Sequence, residues 1–154
     1  MSFLNSMNIS ASALTATRLR MDVVLENMAN SNTTRTETGD PYRRKYVVYQ
    51  ERVDKVKDKA FEACFNSARI QPGWTKHAPG GVRVLEVGTD MSEFKLDYNP
   101  SHPDANEDGY VRLPNVEVVQ EMVDMMSAYR AYEANITALN AFKDMAVKTM
   151  EIGK

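Results

Sequence analysis

Cysteine is nearly absent from this sequence, in which Cys64 is the only one among 154 residues. A single thiol cannot form an internal disulfide, and it has no second cysteine at zinc-site spacing. The two histidines, His77 and His102, also lack Cys or acidic neighbours at ligand spacing. We therefore expect an inert, half-buried thiol and no metal or cofactor. A small hydrolase that uses Cys64 as its nucleophile, with either histidine as base, is a disfavoured alternative.

Long hydrophobic runs are missing as well. No stretch reaches 18 consecutive apolar residues, so the sequence predicts no membrane span. Residues 1–10 contain neither a basic region nor a continuous apolar stretch, which excludes a conventional secretory signal peptide. We expect the protein to remain inside the cell or to leave it by another route.

Neither sign of charge dominates, since 19 Lys and Arg face 21 Asp and Glu and the net charge is -2. This balance gives no general case for nucleic-acid binding. Residues 41–60 are basic and residues 86–124 are acidic. These two charged segments either align neighbouring subunits or form a solvated surface. The run Arg43, Arg44 and Lys45 could contact phosphate, but a basic strand edge that prevents unwanted pairing explains it as well. The sequence contains no phosphate loop, dinucleotide motif or G-x-S-x-G motif.

Proline and glycine are absent from residues 115–152, which predicts one continuous helix of roughly 55 Å. Alternating steps of three and four residues pick out a heptad stripe, interrupted at Lys143, that is typical of a helix seam. Its members are Met122, Met125, Tyr129, Tyr132, Ile136, Leu139, Ala146 and Met150. Burying this stripe supplies on the order of 10 to 20 kcal/mol. Ordering each residue of the helix costs about 1 to 2 kcal/mol, so the helix requires a partner.

The N-terminal third predicts a second, shorter helix with a similar stripe. Residues 1–9 are polar with scattered apolar side chains, and we expect them to be loosely ordered. The helix is predicted to start at Ser10 or Ser12, either of which is a suitable N-cap, and to end near Ala29. Its seam contains Leu14, Thr17, Met21, Val24 and Met28. At roughly 30 Å this helix covers about half of the C-terminal one, and the rest of the stripe needs another chain.

The middle of the chain is predicted to be rich in β-structure. Residues 30–40 form a polar linker, and residues 71–81 form a loop that contains Trp74. Strands are predicted at 42–53, 82–87 and 93–98, whereas 55–67 is ambiguous between strand and helix. The fold class is therefore α+β, with terminal helices that pair as a coiled-coil-like domain around a small β-rich middle domain. We place the boundaries at 1–36, 37–114 and 115–154.

A partial calcium motif lies within the middle region. Asp104, Asn106, Asp108 and Gly109 match the opening of an EF-hand loop. The twelfth position is Asn115 instead of the bidentate glutamate, and no helix precedes the loop. We therefore interpret the segment as a turn in which Asx side chains bond their own backbone.

Several longer motifs resemble those of the bacterial flagellar rod and hook proteins, and among these the proximal-rod subunits. The matching segments are S-A-L (12–14), R-M-D-V-V (20–24), E-N-M-A-N-S-N-T-T-R-T (26–36), P-Y-R-R-K (41–45), Y-N-P-S-H-P-D-A-N (98–106), G-Y-V (109–111), P-N-V (114–116), E-M-V-D-M-M (121–126), Y-E-A-N (132–135) and T-A-L-N (137–140). The resemblance covers both ends and most of the middle, and departs over 61–80.

The resemblance implies a structural, non-enzymatic subunit of the proximal rod of the flagellar basal body. It implies partners among the other rod subunits and copies of itself, and export by the flagellar type III apparatus without a cleaved signal peptide to the periplasmic rod. We predict that the subunit interface uses the two helix seams: Leu14, Met21, Val24, Met28, Met122, Met125, Tyr129, Tyr132, Ile136, Leu139, Ala146 and Met150. A soluble coiled-coil adaptor that binds one partner helix is the alternative.

Overall fold

A computed structural model of the chain describes residues 3–54 and 78–152. The predictions for Cys64, Trp74, His77 and the ambiguous stretch 55–67 lie outside the described residues. In chain order the described elements are α1 (Phe3–Ala29), β1 (Lys45–Asp54), β2 (Ala78–Thr89), β3 (Lys95–Tyr98), β4 (Tyr110–Leu113) and α2 (Val118–Ile152). The predicted α+β class is confirmed.

Helix α1 begins at Phe3, so the expectations that residues 3–9 are loosely ordered and that Ser10 or Ser12 caps the helix were wrong. No proline or glycine interrupts residues 3–12, and the Ser12 hydroxyl bonds back along the helix by donating to the Ile9 carbonyl at 2.7 Å. The predicted end at Ala29 is confirmed. There the Asn30 amide and side chain both donate to the Glu26 carbonyl, which closes the last turn.

Helix α2 begins at Val118, three residues later than predicted. Asn115 is instead part of the preceding loop, where its side chain bonds other loops. With 27 and 35 residues, α1 and α2 are about 40 and 52 Å long. The first helix is therefore long enough to span about three quarters of the second, more than the half that the sequence predicted.

Two antiparallel strand pairs, β1–β2 and β3–β4, form the sheet structure of the described residues. In the first pair Val47 lies opposite Val87, and the register shifts twice. Strand β2 starts earlier than predicted and includes residues 79–81, which were expected to form a loop. These residues lie at the second register shift, where β2 contains one residue more than β1, and such a bulge allows proline and glycine within a strand. Strand β4 was missed because four residues after a turn give little periodicity.

Helix α1 is the central element, since it contacts α2 on one side and β1 and β2 on another. Asn27 bonds Glu121 near the start of α2 and Arg20 bonds Asp124 further along, so the two helices run antiparallel. The buried apolar side chains are Ala16, Val23, Val24, Tyr42, Val111, Val116 and Ala128. This core concentrates where the end of α1 meets the start of α2.

The β1–β2 hairpin approaches α1 at Gly81. The Ser12 hydroxyl accepts a hydrogen bond from the Val82 amide at 3.1 Å, and Gly81 has a φ of +93°. A Cβ at position 81 would lie 2.1 Å from Ser12 Oγ and 3.2 Å from Ile9 Cα. Only glycine satisfies both the backbone angle and the close approach.

Candidate assembly interface

Asn27, in the last turns of α1, is fully buried and uses both ends of its amide. Its Nδ2 donates to the Lys45 carbonyl at 2.8 Å and to Glu121 Oε2 at 3.1 Å. Its Oδ1 accepts from the Tyr42 hydroxyl and from the Lys45 amide, each at 2.9 Å. One side chain therefore connects α1, the start of β1 and α2.

Glu121, in the first turn of α2, is also fully buried. Its Oε1 accepts from Arg44 Nε at 2.6 Å, while its other oxygen accepts from Asn27. Arg44 also lies 3.4 Å from Asp124, which pairs with Arg20 of α1 at 2.9 Å. Two guanidinium groups thus face two carboxylates, so burial removes little net charge from water.

Tyr42 closes the apolar side of the same cluster. Burial, reinforced by the negative charges of Glu26 and Glu121, raises the pKa of Tyr42 to about 12. The phenol is held neutral so that it donates to Asn27. Beside it, Lys45 pairs with Glu26, and the ammonium lies 5.7 Å from the centre of the Tyr42 ring.

Asn115 extends the cluster to the loop after β2. Its Oδ1 accepts from the Arg44 amide at 2.8 Å, and its Nδ2 donates to the Asp90 carbonyl and to Ser92 Oγ. The Ser92 backbone amide donates to the Asp90 carboxylate, and this lowers the pKa of Asp90. We call the set Arg20, Asn27, Tyr42, Arg44, Asn115, Glu121 and Asp124 the helix-junction network.

The helix-junction network leaves no buried side-chain polar atom unpaired. Across the described residues, every buried side-chain nitrogen or oxygen has a hydrogen-bond partner. A satisfied buried network specifies one arrangement of the elements that it joins, because any shift leaves a polar group without a partner. The arrangement fixes α1, the start of β1 and α2 relative to one another.

The predicted seam residues are divided between the inside and the outside of the subunit. Val24 is buried; Leu14, Met21, Met28, Met125, Tyr132, Ile136, Leu139 and Ala146 are half-buried; Met122, Tyr129 and Met150 are exposed. The most buried positions lie one residue away from the predicted line, at Asn27, Glu121 and Ala128. Pattern reading missed Asn27 and Glu121 because a polar side chain is normally assigned to the solvent face.

A contiguous apolar surface lies on the side of α2 that faces away from α1. It consists of Val119, Met122, Val123, Met126 and Tyr129, each between 51% and 67% exposed. At 100° per residue these positions span about 120° of the helix circumference, away from Glu121 and Ala128. We call this surface the outward face. Exposed patches of this kind mark sites of protein contact.

The segment with the partial calcium motif forms a turn. Asp104 accepts from the Thr34 hydroxyl at 2.8 Å, and the Gly109 amide donates to the Asn106 carbonyl at 2.8 Å. Gly109 has a φ of +79°, which permits the return into β4. Within residues 3–54 and 78–152, no group of three or more His, Cys, Asp or Glu side chains is placed to hold a metal ion.

Comparison with known proteins identifies the family. The profile described as flagellar basal body rod FlgEFG protein C-terminal matches residues 107–152. Flagellar basal-body rod protein FlgC of Bacillus subtilis is 48% identical, over the full length of both chains. FlgC of Borreliella burgdorferi is 43% identical over 94% of this chain and 93% of the relative. FlgC of Salmonella typhimurium is 41% identical over the full length of both chains. The chain belongs to the FlgC family.

The residues of the helix-junction network lie within the motifs of this FlgC family member. Asn27 belongs to the E-N-M-A-N segment, Tyr42 and Arg44 to P-Y-R-R-K, and Asn115 and Glu121 to the segments around the start of α2. Residues far apart in sequence thus meet at one junction.

None of the helices in the described part of the chain is long and apolar enough to cross a membrane.

Proposed function

We propose that this chain, a structural subunit of the flagellar basal-body rod, joins the proximal rod by packing its two terminal helices against those of neighbouring subunits. FlgC family membership over the whole chain supports the rod over the soluble adaptor. The role is structural and not catalytic, in keeping with relatives that are named rod proteins. The partners are other rod subunits and further copies of this chain.

The outward face is the proposed contact surface. Its five side chains form an apolar strip on a helix whose opposite side is already occupied by α1. Burying such side chains against a neighbour stabilises the contact by roughly 1.5 to 3 kcal/mol each if burial is complete. The exposed seam residues Met122 and Tyr129 lie within it, and Met150 lies near the end of the same helix.

The buried and half-buried seam residues are the proposed basis of the pairing of α1 with α2. We propose a coiled-coil-like pairing in which residues such as Met21, Val24 and Leu139 pack between the antiparallel helices and the helix-junction network sets their register. Its support is the contact between the helices and the bonds that join them at one end.

The domain boundaries remain part of the proposal. Residues 1–36 and 115–154 form the terminal domain. Residues 37–114 form the β-rich middle domain, which lies toward the outside of the rod. Consistent with this division, β1 to β4 all lie within 37–114. The β1–β2 hairpin also docks on α1, so the two domains share an interface within the subunit.

We further propose export through the flagellar type III apparatus, without a cleaved signal peptide, to the periplasmic part of the rod. Family membership over the whole chain supports this route. No nucleic acid takes part, since the net charge of -2 offers no general attraction to phosphate.

Aspartate at both Val123 and Met126 tests the outward face. Both positions are exposed in the single chain, so the double variant should keep the wild-type circular dichroism. Its incorporation into basal bodies should fall at least about tenfold, because burying an unpaired carboxylate costs several kcal/mol.

The control is Ala131→Asp, which adds a negative charge at an exposed position of α2 that lies about 80° around the helix from Val123, outside the outward face. It should leave incorporation near the wild-type level. Incorporation of the double variant equal to that of Ala131→Asp, measured by quantitative mass spectrometry of purified basal bodies, would refute the proposed contact.

A further inference from the structure

Methionine supplies two of the five side chains of the outward face. Met122 and Met126 are 52% and 57% exposed, whereas Met125, between them in sequence, is half-buried on the side toward α1. Thioethers are the readily oxidised groups on this apolar surface, since valine side chains do not react with peroxide under mild conditions. The surface therefore combines a contact role with a reactive one.

We propose that Met122 and Met126 form an oxidation-sensitive site that controls whether the free subunit can enter the rod. The inference rests on the proposed function of the outward face. A hydroperoxide transfers one oxygen to each thioether sulfur, which loses two electrons and becomes a sulfoxide. The O–O bond breaks, and the second oxygen leaves as water or as an alcohol.

The sulfoxide changes what the outward face can bind. It places a strongly polar S=O group on a strip whose other members, Val119, Val123 and Tyr129, offer only one hydroxyl. Burying that oxygen against a neighbouring subunit without a donor lowers the association constant at least roughly tenfold. Once the subunit is assembled, the two sulfurs are covered and the reaction stops. Oxidation therefore acts on the free subunit only.

Reactivity is tested first on the purified full chain with dilute hydrogen peroxide. Peptide mass spectrometry should find sulfoxide at Met122 and Met126 earlier than at the half-buried Met125 and Met21. Equal rates at all four positions would overturn the selectivity. Met91, 80% exposed between β2 and β3, is the matched reactive control outside α2.

The effect of oxidation on assembly is tested in cells that lack their own copy of the gene. Glutamine, a polar mimic of the sulfoxide, is placed at Met122 and Met126 together or at Met91 alone. The double variant should enter basal bodies at least about tenfold less than Met91→Gln, because only its polar groups must be buried. Equal incorporation, or a double variant whose isolated chain unfolds, would overturn the proposal.

A peroxide pulse during rod assembly completes the test. The ratio of incorporation with and without peroxide should fall for the wild type and for Met91→Leu but stay near one for Met122→Leu/Met126→Leu. The same fall in all three strains overturns the inference. Absence of the untreated wild type from basal bodies would instead refute the proposed function, so the two failures are distinguishable.

Discussion

At the scale of single residues, two buried polar side chains join the terminal helices. Asn27 and Glu121 are fully buried and bond each other, yet neither stood out in the sequence as an interior residue. A heptad pattern identifies apolar stripes only. No local signal shows that Asn27, one position from the predicted stripe, bonds Glu121, which lies 94 residues away in the sequence. The E-N-M-A-N and P-Y-R-R-K motifs marked these segments as specific, but their mutual contact is visible only in the fold.

Asn27→Ala should destabilise the isolated chain by about 3 kcal/mol or more. The change leaves the Lys45 amide and carbonyl, the Tyr42 hydroxyl and one Glu121 oxygen without their partner. Urea unfolding followed by circular dichroism measures the loss. Asn140→Ala, at an exposed position of α2, should change the free energy of unfolding by less than about 0.5 kcal/mol. Equal effects of the two substitutions would show that the network contributes little.

Tyr42 gives the network a dependence on alkaline pH. Its pKa is raised to about 12, so the folded chain keeps a proton that the unfolded chain releases near pH 10. The stabilisation is fully present below pH 10 and is lost as the pH rises through about 12.

Comparison with Tyr42→Phe isolates this effect. The difference in free energy of unfolding between wild type and variant should be constant up to about pH 9.5 and then shrink by roughly 1 to 2 kcal/mol. Other tyrosines and lysines titrate in both proteins and cancel. A difference that stays constant to pH 12 would contradict the assigned environment.

At the scale of elements, the sequence predicted both helices and three of the four described strands, and it misplaced several ends. Residues 3–9 were expected to be loose, because polarity alone does not show that a helix can continue through them. Residues 79–81 were expected to be a loop, because proline and glycine normally interrupt strands. In both cases the deciding factor is packing: α1 and β2 support each other at Ser12 and Gly81.

Gly81→Ala should lower the free energy of unfolding by more than the loss of glycine's backbone freedom alone explains. Gly39 also has a positive φ, +88°, but nothing lies within 4 Å of its virtual Cβ, so Gly39→Ala measures only the conformational cost of about 1 to 2 kcal/mol. Gly81→Ala adds the clash with Ser12 and Ile9. It should therefore exceed Gly39→Ala in destabilisation and speed amide exchange in β2. Equal costs would mean that the hairpin does not pack closely on α1.

At the scale of the whole molecule, the central feature is that the two sides of α2 have different roles: one packs within the subunit and the other is exposed on its surface. One side is joined to α1 through Glu121 and the helix-junction network, which makes the subunit a defined unit. The other side presents apolar residues that the subunit itself leaves uncovered. The sequence predicted a need for another chain from the length of the stripe. It could not separate the inner from the outer residues, because neighbouring seam positions, three or four residues apart, differ in direction by only about 40° to 60°.

The most direct measurement compares the accessibility of position 126 in the free chain and in the rod. Cysteine replaces Met126, or Met91 as a control, in a chain whose own Cys64 is changed to Ser, and labelling by a maleimide is quantified. Cysteine at position 126 should react in the purified chain but be protected in intact basal bodies, to a greater degree than cysteine at position 91. Equal labelling of position 126 in both states would contradict the claim that neighbouring subunits cover the outward face of α2.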